Sequence, residues 1–377
     1  MKIVTIVGAR PQFVKAAVFS DALRRLSHVR EVLLHTGQHY DFKMSQVFWE
    51  QLGLAKVDYN LGIGSGPHGA QTGQMLAAIE AVLLPEKPDC VVVFGDTNST
   101  LAGALCAAKL NIPIAHVEAG LRSFNRRMPE EVNRVVADHL ASMLFAPSTA
   151  AVENLLGEGC APSSIFQTGD LMYDALLRFS GIAEQQSRIR RKLGLTPQGY
   201  VLATIHRAEN TDGAVKLESI FNALLRIAAF IRVVVPVHPR TRSLLKDTWK
   251  SDTLHLIDPV GYLDMLALER SASAIITDSG GVQKEAYWWG VPCITVRDET
   301  EWIELLDLGC NRLVPTVADA ICGAVEKVIQ SPRRRYRTGL YGDGHAAATI
   351  ARKIVVSLSA PATRSRSVAK SCSVAKS

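Results

Sequence analysis

Short apolar runs rich in valine and isoleucine alternate along the chain with longer, helix-length segments. One series of runs reads KIVTIVG, EVLLHTG, CVVVFGD, IPIAHVEAG and MLFAPS. A second series begins with IFQTGD and continues with YVLATIH, VVVPVHP, LHLIDPV, AIITDSGG and PCITVRD. Uninterrupted apolar strands between helices are typical of parallel sheets covered on both faces. The pattern therefore predicts an α/β protein with two doubly wound domains.

The restart of this rhythm sets the expected domain boundary near Thr168 to Asp170. We expect an N-terminal Rossmann-like domain over 1–168 and a C-terminal one over 169–345, which suits a length of 377 residues. A helix over 346–358 is expected to return to the first domain. The segment 360–377, which ends in SVAKSCSVAKS, has no apolar periodicity and is predicted to be disordered.

Composition excludes several classes of protein. Hydrophobic residues make up 47% and charged residues 21%, as in ordinary globular chains. No apolar run reaches the roughly eighteen residues of a membrane helix. The net charge of +6 lies partly in the tail, so no nucleic-acid partner is expected. The seven cysteines form no CxxC pair and predict buried thiols in a reducing compartment, and we expect the cytoplasm.

Polar and charged residues gather where the predicted strands end. GARPQ, TGQHYD and GDTNST follow strands of the first series, and HRAEN, HPRT and DSGG follow strands of the second. In open parallel sheets, ligands bind outside the carboxyl ends of the strands. We therefore expect a ligand site built from these loops.

The segment TDSGGVQKEA predicts an anion site. A strand ends at Thr277, and Ser279, Gly280 and Gly281 then open a helix. The free N–H groups and the dipole of a helix N-terminus attract anions, and the glycines allow a phosphate to approach. Glu285 lies one turn inside the helix, where it can accept hydrogen bonds from ribose hydroxyls. The alternative is a simple serine cap of the helix.

A second strand-to-helix turn, GARPQFVK, directs Arg10 towards the same crevice. Gly8 permits the tight turn and Pro11 suits the first position of a helix. The turn lacks the GxGxxG pattern, and the next strand does not end in an acidic residue, so a nicotinamide cofactor is not expected. The Walker pattern is absent as well. We expect no cofactor.

Two histidines follow strands of the second series next to arginines. His206 lies in HRAEN and His238 in VHPRT, and both are expected to contact a diphosphate. Neither these residues nor His116 and His139 lie in clusters with metal-ligand spacing, so we predict no metal site.

Three carboxylates of the first series are the candidate acid and base groups. Asp96, Glu118 and Glu130 or Glu131 are expected to come from three strand ends and to converge across the crevice from the diphosphate site. Such a cluster would raise the pKa of at least one member and supply acid and base roles for sugar chemistry.

These motifs resemble those of the non-hydrolysing UDP-N-acetylglucosamine 2-epimerases, and the resemblance extends to about residue 358. The motifs are GARPQFVKAA with Arg10 and Lys15, GDTNST with Asp96, HVEAGLRS with Glu118, PEEVNR led by Glu130, HRAEN with His206, and TDSGGVQKEA with Ser279 to Gly281 and Glu285. The resemblance implies the two-domain GT-B-like fold with the active site in the cleft, a homodimer, and no metal or nicotinamide.

The family's chemistry is an elimination followed by a re-addition. UDP leaves C1 as the C2 proton leaves, and UDP then re-adds to the 2-acetamidoglucal after C2 is reprotonated on the other face. The resemblance implies that Asp96, Glu118, Glu130 and His206 are catalytic. The UDP-binding residues that it implies are Arg10, Lys15, His238, Met265, Ser279, Gly280, Gly281 and Glu285.

The chain departs from the family pattern at two places. Trp302 follows Thr300-Glu301 where many members have arginine, so a cation near the nucleotide is missing. Tyr40 stands where members regulated by their own substrate tend to have arginine, which leaves that regulation open.

Several sequence segments resemble more closely those of a subgroup that acts on UDP-2,3-diacetamido-2,3-dideoxy-glucuronate. These segments are FNRRMPEE, DPVGYL, SGGVQKEA and TEW. Arg126 and Arg127 could bind the carboxylate of that sugar bidentately. Alternatively, they form a surface pair that balances Glu130 and Glu131.

Three other functions remain open. A GT-B glycosyltransferase would share the fold but would need an acceptor cleft instead of three carboxylates. A hydrolysing epimerase would release UDP and a free sugar. A sugar-nucleotide sensor would bind without catalysis.

Overall fold

The computed structural model describes residues 1–38, 52–54, 56–237, 239–249, 251–330, 333 and 339–359. Tyr40, His238 and the tail over 360–377, on which predictions were made, lie outside the described residues.

Parallel strands form two separate sheets. The first has seven strands in the order β3-β2-β1-β4-β5-β6-β7, and the second has six in the order β10-β9-β8-β11-β12-β13. The strands of the first sheet are β1 Lys2–Val7, β2 Arg30–His35, β3 Tyr59–Asn60, β4 Cys90–Phe94, β5 Ile114–Val117, β6 Met143–Ala146 and β7 Ile165–Gln167. Those of the second are β8 Tyr200–Thr204, β9 Arg232–Pro236, β10 Leu254–Ile257, β11 Ala274–Thr277, β12 Cys293–Val296 and β13 Asn311–Val314.

Helices follow most of the strands. In the first half they are α1 Arg10–Arg24, α2 His68–Glu86, α3 Asn98–Lys109, α4 Pro129–Leu140, α5 Thr149–Gly157, α6 Leu171–Gln186 and α7 Ile189–Lys192. In the second half they are α8 Ala208–Thr211, α9 Ala214–Ala228, α10 Pro239–Arg242, α11 Tyr262–Ser271, α12 Gly280–Trp289, α13 Ile303–Asp307, α14 Ala318–Ile329 and α15 Ala346–Ser359. Short 3₁₀ turns occupy Pro162–Ser164 and Asp247–Trp249.

Both faces of the first sheet are buried, as its uninterrupted apolar strands predict. Alternate residues of a strand point to opposite faces. Ile3 and Val7 pack in the core cluster that contains side chains of α1, α6 and α15, whereas Val4 and Ile6 pack in the cluster under α2 and α3. The second sheet is divided in the same way between the α9 and α14 face and the α11 and α12 face.

One strand assignment from the sequence was wrong. The run IFQ was expected to open the second series, but Ile165–Gln167 pairs in parallel with β6 and is the last strand of the first sheet. The two short strands Tyr59–Asn60 and Asn311–Val314 were not predicted at all. Both lie at sheet edges, where a few mixed residues suffice to form a strand and the apolar signal is weak.

The chain passes between the two sheets at α6 and again before α15, and these helices join the two halves. Phe179 of α6 packs in one cluster with Phe13 of α1, Leu266 of α11 and Ile354 of α15. The two crossings also touch through their backbones. The Asp170 N–H donates to the Tyr341 carbonyl at 2.9 Å.

The carboxyl ends of the two sheets face each other across a cleft. Arg10, at the start of α1, donates from Nη2 to the Val260 carbonyl at 3.3 Å. Asn125 Nδ2, in the loop after β5, donates to Glu299 Oε1 at 2.6 Å. The loops predicted to carry function therefore meet at one place. No helix among the described residues combines the length and apolar character needed to cross a membrane.

Candidate active site

Glu118 lies at the centre of the cleft, directly after β5. Its backbone has a φ of 71°, a left-handed conformation that non-glycine residues seldom adopt. Such strain is found preferentially at functional sites. One carboxylate oxygen contacts Lys15 Nζ of α1, and the other accepts from Lys284 Nζ of α12 at 3.0 Å. The carboxylate thus bridges lysines of both halves of the chain.

Glu118 is not the carboxyl whose pKa the cluster was predicted to raise. Burial opposes ionisation of Glu118, but the ammonium groups of Lys15 and Lys284 outweigh it and lower its pKa to about 2. The sequence prediction considered the carboxylates alone and did not foresee the two lysines beside Glu118. Glu118 is therefore ionised at neutral pH and can accept a proton only from an acid activated in the complex.

Asp96 follows β4 and pairs with an arginine of the next helix. Arg134 Nη2 of α4 donates to Asp96 Oδ2 at 2.5 Å, and Asn133 Nδ2 donates to the Asp96 carbonyl at 2.9 Å. The Asp96 side chain remains 32% exposed, so it is the more accessible member of the pair. Gly95, the residue before Asp96, lies beside Glu118, because a Cβ placed there would lie 3.2 Å from Glu118 Oε2.

The two glutamates of PEEVNR have different surroundings. Both lie in the first turn of α4 and not at a strand end, because the loop from Ala119 to Met128 separates them from β5. Glu131 is buried and accepts from Ser123 N, Ser123 Oγ and Phe124 N at 2.9 Å. Glu130 is half-buried and has no side-chain partner among the described residues. Glu131 therefore holds the loop, which leaves Glu130 as the candidate reactive carboxylate.

His206 comes after β8, on the opposite side of the cleft. Its Nδ1 lies 2.9 Å from Asp278 Oδ1, and its imidazole is 50% exposed. Asp278 is fully buried and also accepts from the N–H groups of His206 and Arg207 and from Asn210 Nδ2. Burial opposes ionisation of Asp278, but hydrogen bonds led by that from His206 lower its pKa. Asp278 thus fixes the ring so that Nε2 remains available to a ligand.

The Ser279-Gly280-Gly281 turn opens α12 as the sequence indicates. The Ser279 hydroxyl does not cap the helix; instead, Ser279 N donates to Thr277 Oγ1 at 2.9 Å. A Cβ on Gly280 would lie 2.5 Å from Glu301 Oε1, whereas a Cβ on Gly281 would meet no atom within 4 Å. The free N–H groups of α12 therefore begin beside open space, as an anion site requires.

Glu285 is more enclosed than a simple ribose contact would require. It is 4% exposed, and its Oε1 has no hydrogen-bond partner among the described residues. Burial raises the pKa of Glu285. Glu269 of α11, which is completely buried, contacts the Glu285 carboxyl, and burial followed by this neighbour raises the pKa of Glu269 well above its ordinary value.

The remaining residues predicted to bind the substrate make no hydrogen bond to Asp96, Glu118 or Glu130 among the described residues. Arg10 faces the second half of the chain at Val260, as described above. Met265 is half-buried and packs with the apolar residues around α11 and α12. Arg126 and Arg127 are both exposed, and no salt bridge joins them to Glu130 or Glu131 among the described residues. The interpretation of these arginines as a balancing surface pair stays a prediction, as does their contact with a sugar carboxylate.

Four residues that build the site were not predicted as site residues. Lys284 and Asp278 lie inside the quoted segment TDSGGVQKEA, and Lys284 is four residues after Gly280 on the same helix. Arg134 lies three residues after Glu131, at the spacing of an ion pair on a helix. Asp170 was assigned to the domain boundary, yet its carboxylate contacts Lys284 Nζ. These four residues lie in or near the quoted motifs, but the side chains that they contact could be identified only from the fold.

No group of three or more histidine, cysteine, aspartate or glutamate side chains could hold a metal ion within the part of the chain that the structure describes. The absence of a cofactor stays a prediction.

Comparison with known proteins gives consistent matches over the whole fold. A family model described as UDP-N-acetylglucosamine 2-epimerase matches residues 21–355. The chain is 50% identical over 357 residues to the "UDP-N-acetylglucosamine 2-epimerase homolog" of Methanococcus maripaludis, covering 93% of this chain and 98% of that one. It is 49% identical over 359 residues to the UDP-2,3-diacetamido-2,3-dideoxy-D-glucuronate 2-epimerase of Pseudomonas aeruginosa, with the same coverage.

A solved structure is similar as well. The crystal structure of Methanocaldococcus jannaschii UDP-GlcNAc 2-epimerase in complex with UDP-GlcNAc and UDP has a TM-score of 0.88 and 44% identity, covering 94% of this chain and 100% of that one.

Proposed function

The chain belongs to the UDP-N-acetylglucosamine 2-epimerase family, and from that premise we propose that it inverts C2 of a UDP-2-acetamido sugar without hydrolysis. It is an isomerase of the type that converts UDP-N-acetylglucosamine to UDP-N-acetylmannosamine. The fold is the GT-B arrangement of two Rossmann-like domains expected from the sequence.

One observation carries this proposal. The helix whose N-terminus would bind the diphosphate is also the helix that places Lys284 on the Glu118 carboxylate, at 3.0 Å. Four residues of helix span about 6 Å along the axis. An acid/base carboxylate therefore lies roughly one sugar ring away from the anion site, which is the spacing needed when a leaving group at C1 and a proton at C2 depart together.

The proposed reaction balances within the bound complex. A carboxylate removes the proton from C2, the C2–H electron pair forms the C1–C2 double bond, and the C1–O bond breaks to release UDP as the leaving group. A carboxylic acid then returns a proton to C2 from the opposite face, and the UDP oxygen bonds again to C1. No water is consumed, so UDP must stay bound between the two steps.

The residues divide between the two halves of this chemistry. Asp96, Glu118 and Glu130 form the acid/base group, and His206 acts on the departing diphosphate from the other side of the cleft. Arg10, Lys15 and the turn from Ser279 to Gly281 are the proposed diphosphate contacts, with Glu285 on the ribose. The roles within the carboxylate group are not separated here, because coupled carboxyls titrate as a unit.

A second candidate substrate is UDP-2,3-diacetamido-2,3-dideoxy-glucuronate. The relative of 49% identity carries that activity in its name. Arg126 and Arg127 are exposed on the loop that Asn125 fastens to Glu299 across the cleft. An exposed arginine on this loop is suited to a C6 carboxylate, which a bidentate guanidinium binds well.

The proposal extends to the setting of the enzyme. The described cysteines are all free thiols, which suits a reducing compartment, and we place the enzyme in the cytoplasm. It is proposed to work as a homodimer, which light scattering on the purified protein would test.

Proton NMR in deuterated water tests the function. The purified protein is incubated with UDP-N-acetylglucosamine in one tube and with the diacetamido-glucuronate nucleotide in another. We expect deuterium at C2 and a new manno-configured signal with UDP still attached. The nucleotide sugar whose C2 proton exchanges faster is the preferred substrate.

Two results would redirect the assignment. Release of free UDP together with free sugar would indicate a hydrolysing epimerase. Exchange in neither tube would contradict epimerisation and favour a glycosyltransferase or a sensor.

A further inference from the structure

Lys284 is the most completely buried cation in contact with the proposed catalytic group. It is 1% exposed and lies on α12 of the second domain. Its Nζ is 3.0 Å from Glu118 Oε1, contacts Asp170 Oδ2, and stands 4.0 Å from the centre of the Trp302 ring. A buried ammonium requires partners of this kind, because isolated burial of a charge is costly.

The partners of Lys284 come from different parts of the chain. Glu118 follows β5 in the first domain, Asp170 caps α6 where the chain first crosses between the sheets, and Trp302 precedes α13 in the second domain. Burial disfavours the charged form of Lys284, but Asp170 and Glu118 outweigh it and raise its pKa, so the ammonium stays charged.

We propose that Lys284 is a positioning residue that aligns the Glu118 carboxylate across the cleft and lowers its pKa. This inference rests on the proposed function, because Glu118 must exchange a proton for its alignment and its pKa to matter.

The two lysines reach Glu118 from different halves of the chain. Lys15 belongs to the first domain with Glu118, whereas Lys284 belongs to the second. The contact of Lys284 therefore joins the carboxylate to the helix whose N-terminus is the proposed diphosphate site.

Trp302 explains how the site accommodates this lysine. A cationic side chain at this position would repel the Lys284 ammonium. The indole ring instead offers its negative face to the ammonium, an arrangement that is favourable in a desolvated site. Trp302 therefore stabilises the ammonium group that contacts Glu118.

Charged groups from three helices surround the Glu118 carboxylate and its partner Lys284. Lys15 approaches Glu118 from α1 and Lys284 from α12, while Asp170 lies on the other side of Lys284 at the start of α6. Glu285, the next residue of α12, also interacts with Lys284. Removing Lys284 leaves Glu118 with Lys15 alone, so Glu118 should take up a proton at a higher pH.

The test compares pH profiles of the C2 exchange reaction for Lys284→Met and the wild type. An opposite charge at this distance lowers a carboxyl pKa by about 1–3 units, so the acid limb of kcat/KM should move up by about 1–3 pH units in the variant. A change that only loosened the fold would lower the rate without moving the limb.

Lys246→Met is the matched control. Lys246 also pairs with a carboxylate, Glu218 at 3.0 Å, and also stands over an indole, Trp249 at 5.5 Å, but it is half-exposed and remote from Glu118. The acid limb of the kcat/KM profile of Lys246→Met should coincide with that of the wild type.

Asp170→Asn combined with Lys284→Met provides a second variant if the single one fails to fold. It removes both charges of the buried pair, and asparagine can still accept from Met172 N to cap α6. The same upward movement of the limb is expected.

An acid limb that stays at the wild-type pH in whichever of these variants folds would overturn the inference. Failure of the wild type to exchange the C2 proton would instead contradict the proposed function, so the two failures are distinguishable.

Discussion

Glu269→Gln is expected to stabilise the protein at alkaline pH and to have little effect at acid pH. Glu269 is completely buried on α11, and neither of its carboxyl oxygens has a hydrogen-bond partner among the described residues. Its neighbour is the Glu285 carboxyl. Two ionised carboxylates cannot donate to each other, so their contact becomes a hydrogen bond only when one of them carries a proton.

The sign of the pH dependence follows from this proton. Burial, followed by Glu285, raises the pKa of Glu269 in the folded protein, so folding takes up a proton at pH values between the unfolded pKa near 4.5 and the folded pKa. Stability is therefore lost as the pH rises through the range between the unfolded and folded pKa values. Glutamine supplies a permanent N–H donor to Glu285 and has no proton to lose.

The stability gained by Glu269→Gln can be stated for each unit by which the pKa of Glu269 is raised on folding. Each unit is worth about 1.4 kcal/mol once the pH exceeds the folded pKa. For domains of roughly 150–250 residues, 1 kcal/mol shifts the melting temperature by about 2–4 °C. Each unit of raised pKa should thus give the variant an advantage of about 3–6 °C at pH 8.5, shrinking towards zero at pH 5.

Thermal unfolding followed by circular dichroism at pH 5 and pH 8.5 measures this difference. Glu184→Gln is the control, because Glu184 is 65% exposed in a surface pair with Arg270 and should give a small, pH-independent change. Our reasoning is wrong if the gap between Glu269→Gln and the wild type is the same at both pH values.

Two further predictions concern the site itself. Asp96→Asn removes a proton acceptor while keeping its shape, so C2 deuterium incorporation should slow by about 100-fold or more; wild-type exchange would exclude Asp96 from the acid/base group. Glu285→Ala removes a hydrogen-bonded charge worth about 1.5–3 kcal/mol, so UDP measured by calorimetry should bind about 10- to 100-fold more weakly. Unchanged UDP affinity would reject the ribose role, and Glu269→Gln should leave that affinity intact.

The strands that carry the site were predictable because their signal is strong. Runs such as CVVVF and AIIT are buried on both faces, and only strands of a covered parallel sheet require that. Ile165–Gln167 was assigned to the wrong sheet because sequence order does not reveal which neighbour a short edge strand pairs with.

The sequence predicted which loops form the candidate site, but it did not predict which charged side chains contact each other there. The motifs located Asp96, Glu118, His206 and the Ser279 turn at the carboxyl ends of their strands. They did not reveal that Glu118 is held between lysines, because Lys15 and Lys284 are separated from it by 103 and 166 residues. The direction of a pKa shift depends on such distant partners, so it could not be read from the motif.

The backbone contact between the two crossings restricts which residues the chain can carry there. A Cβ on Gly169 would lie 2.8 Å from the Tyr341 carbonyl, and a Cβ on Gly342 would lie 2.8 Å from the Gly169 Cα. Any side chain at either position would therefore force apart the two segments that join the halves of the enzyme.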